Sequence, residues 1–263
     1  MKRLTLCADD FAQSPAISAG IVELAAAGRL SATSVMTQSP HWREGARLLV
    51  PLEGKIDVGL HFNLTHPFDA SARPVNHWLL ASQFRLLSRA DLRDALLRQI
   101  DAFAAEMGRL PDFIDGHQHV HALPVVRDAL TDAVALRWTG DVRPYLRAPD
   151  LTRLPGDAGL KAAILRVACR GFAGHAKRAG LATPGWFGGL YSLQCRADYA
   201  GLMRTWLAGC PDRSLMMCHP GLPASDDSDP IGPTRAVEYR YLAGAEFLEA
   251  CRQQGVSLAR FEE

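Results

Sequence analysis

The chain reads as a single α/β domain, an incomplete (β/α) barrel of the TIM-like kind, and three observations point there. Short apolar runs of strand length alternate with amphipathic runs of helical period along the whole sequence, the pattern of parallel β-α units. The 263 residues match the roughly 250 that such a barrel occupies. No internal repeat, low-complexity tract or linker divides the chain, so residues 1–263 form one domain with a loop insertion near 67–90. An open doubly wound sheet is the competing arrangement, but no G-x-G-x-x-G follows the first strand to cradle a dinucleotide.

Residues 4–8 are a buried strand, and Asp9-Asp10-Phe11 the loop after it. Ser14 caps a helix that Pro15 opens, where the missing N–H is harmless. Ile17, Ile21 and Leu24 follow at helical spacing, and Gly28 marks the stop. Residues 32–37 are the second strand, 42–50 a helix, and 55–64 contain a third strand with His61 and Asn63 near its end. Residues 67–90 carry no clear pattern and are expected to loop over a site. Their apolar Trp78, Leu79 and Leu80 are read as exposed, forming a lid or the contact of a homodimer. Leu92, Leu96, Ile100, Phe103 and Met107 share one face of a helix closed by Gly108. Phe113-Ile114 lead into His117-Gln118-His119-Val120-His121, and a helix over 125–136 follows. Residues 145–147 form a short strand, 160–179 one long helix, and 214–218 a strand ending in His219-Pro220. The last helix covers 243–253, and 256–258 supply a closing strand.

A net charge of +1 gives no electrostatic reason to expect nucleic acid or an anionic membrane as partner. Six scattered cysteines without a C-x-x-C pair argue against a zinc ribbon or redox motif and fit a reducing cytoplasm. The apolar stretch after Met1-Lys2-Arg3 meets Asp9 too soon for a signal peptide. No apolar run approaches the ~20 residues of a transmembrane helix. A cytoplasmic protein is the expectation.

Asp9, Asp10, His61, the 117–121 histidines, Arg147 and His219 all fall at carboxyl ends of strands, where parallel α/β proteins gather functional groups. Two adjacent carboxylates repel, and one pKa tends to rise unless a cation neutralises the pair. A divalent ion held by carboxylate and imidazole would do that and would activate a water. His117 and His121 share a face whether their segment is helix or strand; His119 joins them only if it is extended. One aspartate and two histidines leave coordination positions open for water and substrate. A second carboxylate can then take the water's proton, and a histidine can protonate the leaving nitrogen. Asp10, Asp9 and His219 suit the roles of ligand, base and acid. His41, His66, His77 and His175 have no partners in sequence and read as surface or loop residues.

The segments Ala8-Asp9-Asp10-Phe11, Gly59-Leu60-His61-Phe62-Asn63-Leu64-Thr65 and Asp115-Gly116-His117-Gln118-His119-Val120-His121 resemble, in order and spacing, the signatures of the YdjC-like carbohydrate deacetylases. The resemblance extends more weakly to Cys218-His219-Pro220 and the C-terminal helix. It implies an irregular (β/α) barrel that removes acetyl groups from N-acetylated sugars, oligosaccharide or glycolipid, with one divalent metal ion. By position, Asp10, His61 and His117 would hold the metal, Asp9 would be the general base and His219 the general acid. Arg147, in Arg147-Ala148-Pro149, resembles an Arg-x-Pro element of related polysaccharide deacetylases in which arginine orients the base. Arg147 and His121 are expected to face the substrate. The family has glycine where Ala12 stands; if that backbone needs φ > 0, alanine costs about 1 kcal/mol or more. A carboxylate with two imidazoles suits zinc, nickel, cobalt or manganese, and magnesium less naturally. Two other readings stand beside this one. One is another metal hydrolase, an amidohydrolase or a phosphoesterase, the latter wanting more ligands. The other is a sugar- or metal-binding protein that kept the scaffold without turnover.

Overall fold

The apolar runs become one parallel sheet. In the computed structural model, which describes residues 1–154, 156–223 and 229–261, its strands are β1 (Lys2–Phe11), β2 (Ala32–Val35), β3 (Asp57–Phe62), β4 (Phe113–Gly116), β5 (Tyr145–Leu146), β6 (Phe187–Gly188), β7 (Ser214–Cys218) and β8 (Val256–Leu258). The order is β5-β4-β3-β2-β1-β7-β6, and every pairing is parallel. β8 lies beside Lys2–Leu4 at the start of β1. It therefore adds to the middle of the sheet and does not close it, contrary to expectation. Among the described residues the end strands β5 and β6 share no ladder, and a single bridge, Thr152 to Phe187, spans the gap between them. The result is a curled, incomplete barrel, not a closed TIM barrel.

Between the strands run α1 (Pro15–Ala26), α2 (Trp42–Leu49), α3 (Val75–Gln83), α4 (Arg89–Met107), α5 (Val126–Arg137), α6 (Gly159–Ala168), α7 (Phe172–Arg178), α8 (Tyr199–Gly209), α9 (Gly232–Ala243) and α10 (Ala245–Gln253). The caps read from sequence are in place: Ser14 accepts from the Ile17 amide, and Gly108 closes α4 at φ 66°. Three expectations are corrected. The 67–90 segment is not a bare loop but carries α3, on which Trp78 and Leu79 pack against the core and only Leu80 is well exposed. Residues 160–179 are two helices, broken where Gly171 turns left-handed at φ 80°. The helices α8 and α9 and the strand β6 have no counterpart among the patterns identified in the sequence.

Both faces of the sheet are covered, as a parallel sheet requires. Side chains alternate along each strand. Leu4, Leu6, Ala8, Met216 and Cys218 pack outward with α1, α8 and α10; Leu60, Phe62 and Ile114 pack outward with α4 and α5. Cys7, Ala32, Phe113, Tyr145, Phe187, Leu215 and Met217 fill the interior. That parity aims Asp9, His61 and Asp115, at the carboxyl ends of β1, β3 and β4, into the barrel. A Cβ on Gly59 would sit 2.5 Å from the Phe113 ring, so glycine there is what lets that ring fill the interior.

Candidate active site

The two aspartates sit in β1 itself, not in a loop after it. Past Ala8 the register against β2 shifts before Phe11, and Asp10 takes φ 68°. A bulge breaks the alternation of a strand. Asp9 and Asp10, which would otherwise point to opposite faces, therefore line one cleft. Ala12 has φ 70° and is fully buried, a left-handed backbone that costs alanine more than glycine.

Asp10 Oδ1 lies 3.2 Å from His61 Nε2 and 3.0 Å from His117 Nδ1. The ligand-capable atoms of the three residues are within 4.8 Å of one another. On its other side His61 Nδ1 meets Asp115 Oδ1 at 2.7 Å and Ser34 Oγ at 3.0 Å. A carboxylate behind a histidine of this kind fixes the ring and leaves Nε2 for a metal. Electrostatics agree: burial alone would push His61 down, yet Asp115 and Asp10 outweigh it and hold the ring up to about 10. For Asp10, burial is outweighed by Arg235 and His117, which keep the carboxyl well below its usual range. A pocket that favours positive charge this strongly, with one oxygen and two nitrogen donors, fits a divalent transition-metal ion.

Asp9 faces Arg147 through two parallel bonds, Nη1 to Oδ2 at 2.6 Å and Nη2 to Oδ1 at 2.5 Å. Burial opposes ionisation, but Arg147 prevails and keeps Asp9 below the usual carboxylate range. Arg147 also meets Asp115 Oδ2 at 2.5 Å and Cys7 Sγ at 3.2 Å, so its guanidinium occupies the second acidic cluster, Cys7, Asp9 and Asp115. Arg147 and His121, expected to face substrate, do not reach the cleft. Both are fully buried, and His121 Nε2 lies 2.9 Å from the Arg147 carbonyl oxygen.

The histidine run is neither strand nor α-helix. It is a 3-10 turn, His117–Ala122, in which Gln118 and His119 are left-handed at φ 52° and 61°. Each costs about 1 kcal/mol or more in a residue with a Cβ. The turn sends His117, Gln118 and His119 to the cleft and His121 into the core.

At the end of β7, His219 Nε2 is 3.9 Å from Asp9 Oδ2. Its backbone N–H donates to Glu238 Oε2 at 2.6 Å, and Glu238 Oε1 accepts from the Tyr191 hydroxyl at 2.5 Å. One turn earlier on α9, Arg235 donates to Asp10 Oδ2 at 2.8 Å and to Asp229 at 2.6 Å. The cleft above these groups encloses about 1160 Å³ and is walled by α3 (Val75, Leu79) and α6 (Lys161, Ile164, Leu165). His41 and His66, read from sequence as surface or loop residues, also line it.

Residues 3–253 match a family model described as YdjC-like protein. The chain belongs to that family. It is 27% identical to a Homo sapiens protein named carbohydrate deacetylase, with 99% of this chain and 90% of that one covered. A Serratia marcescens protein named chitooligosaccharide deacetylase is 34% identical over 48% of this chain and 53% of its own length. In fold, it resembles a crystal structure described as a putative cellobiose-phosphate cleavage protein from Enterococcus faecalis V583. The TM-score is 0.72 at 20% identity, covering 98% of this chain and 97% of that one.

In this YdjC-like chain the sequence reading missed four groups that shape the site: Asp115, Ser34, Arg235 and Glu238. For Asp115 a signal existed, because it shares strand parity with Phe113 and directly precedes Gly116-His117. Ser34, Arg235 and Glu238 offered none, since they reach the site only through strand pairing and helix packing.

Proposed function

We propose that this chain is a carbohydrate N-deacetylase that hydrolyses the acetamide of an N-acetylated amino sugar, with one divalent ion on Asp10, His61 and His117. The observation that carries this reading is the convergence of those three donors beside a second carboxylate held by arginine, at the floor of a sugar-sized cleft. The name of the Homo sapiens relative, which aligns over nearly the whole of both chains, supports it. Held by those three residues, a divalent ion would supply Lewis acidity toward the amide carbonyl and would lower the pKa of a bound water. Asp9, kept ionised by Arg147, accepts the proton of that water. The two-pronged guanidinium grip fixes the carboxylate in orientation as well as charge. His219 delivers a proton to the departing amine, and Glu238 holds its backbone in place. Apolar side chains of α3 and α6 shield the reacting groups from bulk water. The cleft volume is slightly above the roughly 300–1,000 Å³ of common small-ligand sites, room for more than one sugar ring.

The test is acetate release from N-acetylglucosamine and its short oligomers, by chelated protein with and without zinc, nickel, cobalt, manganese or magnesium. Release restored by metal is the expected result. Sugar binding without acetate under every metal would overturn turnover and leave the binding-protein reading.

A further inference from the structure

His119 lines the same cleft two residues beyond His117 and takes no part in the chemistry above. It is 8% exposed. Among the described residues its ring forms no hydrogen bond. Nδ1 is buried without a partner, and the imidazole's one ring contact is edge-on with Phe187 at 5.6 Å between centroids. Nε2 is the nitrogen left for the cleft. A ring nitrogen on the wall of a ligand-sized cleft, with no protein group bonded to it, is available to whatever the cleft binds. The backbone supports the same view. Two consecutive non-glycine residues in the left-handed region are sterically costly, and such strain gathers at functional sites. The metal does not account for it either, because the converging donor set is Asp10, His61 and His117, without His119.

We infer that His119 is a substrate-recognition residue whose Nε2–H donates to a hydroxyl oxygen of the N-acetylated sugar. The inference rests on the deacetylase reading. The tautomer follows from burial: an orphaned acceptor is tolerated better than an orphaned N–H, so Nδ1 is the bare nitrogen and Nε2 carries the proton.

A cycle between protein and ligand tests this directly. The variants are His119→Leu, which removes both nitrogens, and His119→Asn, whose short side chain tolerates left-handed backbone but cannot span the same distance. The probes are di-N-acetylchitobiose and its monodeoxy analogues, with metal-loaded protein and metal content measured for each variant. Both variants are expected to raise KM about 5- to 30-fold, with kcat changed less than about threefold and metal content unchanged. One deoxy analogue should be penalised with the wild type and carry no further penalty with either variant. The assignment is overturned by unchanged KM, by loss of metal, or by deoxy penalties that persist undiminished in both variants. If the wild type itself releases no acetate, the deacetylase reading fails, and this inference with it. Additive penalties in an active wild type sink the role of His119 alone.

Discussion

At the scale of single residues, the arrangement separates groups that bind from groups that move protons. Asp9→Asn is expected to lower acetate release by about 10²–10⁴-fold, because an amide cannot accept the proton. Metal content should stay full, which elemental analysis can check. His117→Ala should lose metal and activity together; stoichiometric metal in that variant would mean another histidine serves as ligand. Asp9 also makes a pH prediction. Its folded-state pKa is depressed, so the stability it contributes is complete above about pH 4 and is lost as pH falls toward the folded value. Thermal unfolding of the wild type should therefore fall more steeply below pH 4 than that of Asp9→Asn. Ala12→Gly should raise the urea midpoint by the equivalent of about 0.5–1 kcal/mol, since relief of the left-handed strain exceeds the added chain entropy. Asp10, His61 and His117 were legible because chemistry-bearing side chains at strand ends stand out against apolar runs. Arg147 carried two expectations, orienting the base by resemblance and facing the substrate, and it lies on Asp9. Only the packed interior decides whether a strand-end arginine faces the cleft or the carboxylate behind it.

Among elements, β3 and β4 depend on one missing side chain. Gly59→Ala would drive a methyl into the Phe113 ring, with an expected cost of about 1–3 kcal/mol from overpacking. Phe113→Leu in the same chain should recover part of that loss; an additive double mutant would show that the two do not touch in the way described. The helix α9 explains why part of the site was hidden. Its buried face carries Thr234, Arg235, Glu238 and Leu242, so the charged residues that ordinarily mark a solvated face point inward. Hydrophobic periodicity cannot find such a helix. The opposite error occurred at 160–179, where continuous helix-forming residues concealed a break that depends on one left-handed glycine.

For the molecule as a whole, cleft and floor lie at opposite ends of the same strands. Asp57 opens β3 and His61 lies near its end. Buried Asp57 accepts from Arg260 Nε at 2.6 Å, the Phe261 amide at 2.8 Å and the Tyr145 hydroxyl at 3.1 Å. Phe261 packs on Tyr145 at 4.3 Å between ring centroids, closing the barrel floor. Asp57→Ala leaves these donors unpaired and is expected to destabilise the fold by about 1–3 kcal/mol. KM and metal content should not change, because the active groups are at the far end; a changed KM would show that the two ends are coupled.

The sequence by itself determined the alternation of strand and helix, the parity that turns Asp9 and His61 inward, and the residue types gathered at the strand ends. These are local properties, set by side-chain spacing along a few turns or pleats. Only the tertiary structure decided that the barrel stays open, that a bulge turns Asp10 beside Asp9, and that Arg147 and Arg235 reach aspartates 138 and 225 residues away. Such pairings depend on sheet curvature and register, which arise from the whole packed chain and leave no periodic mark in any one segment.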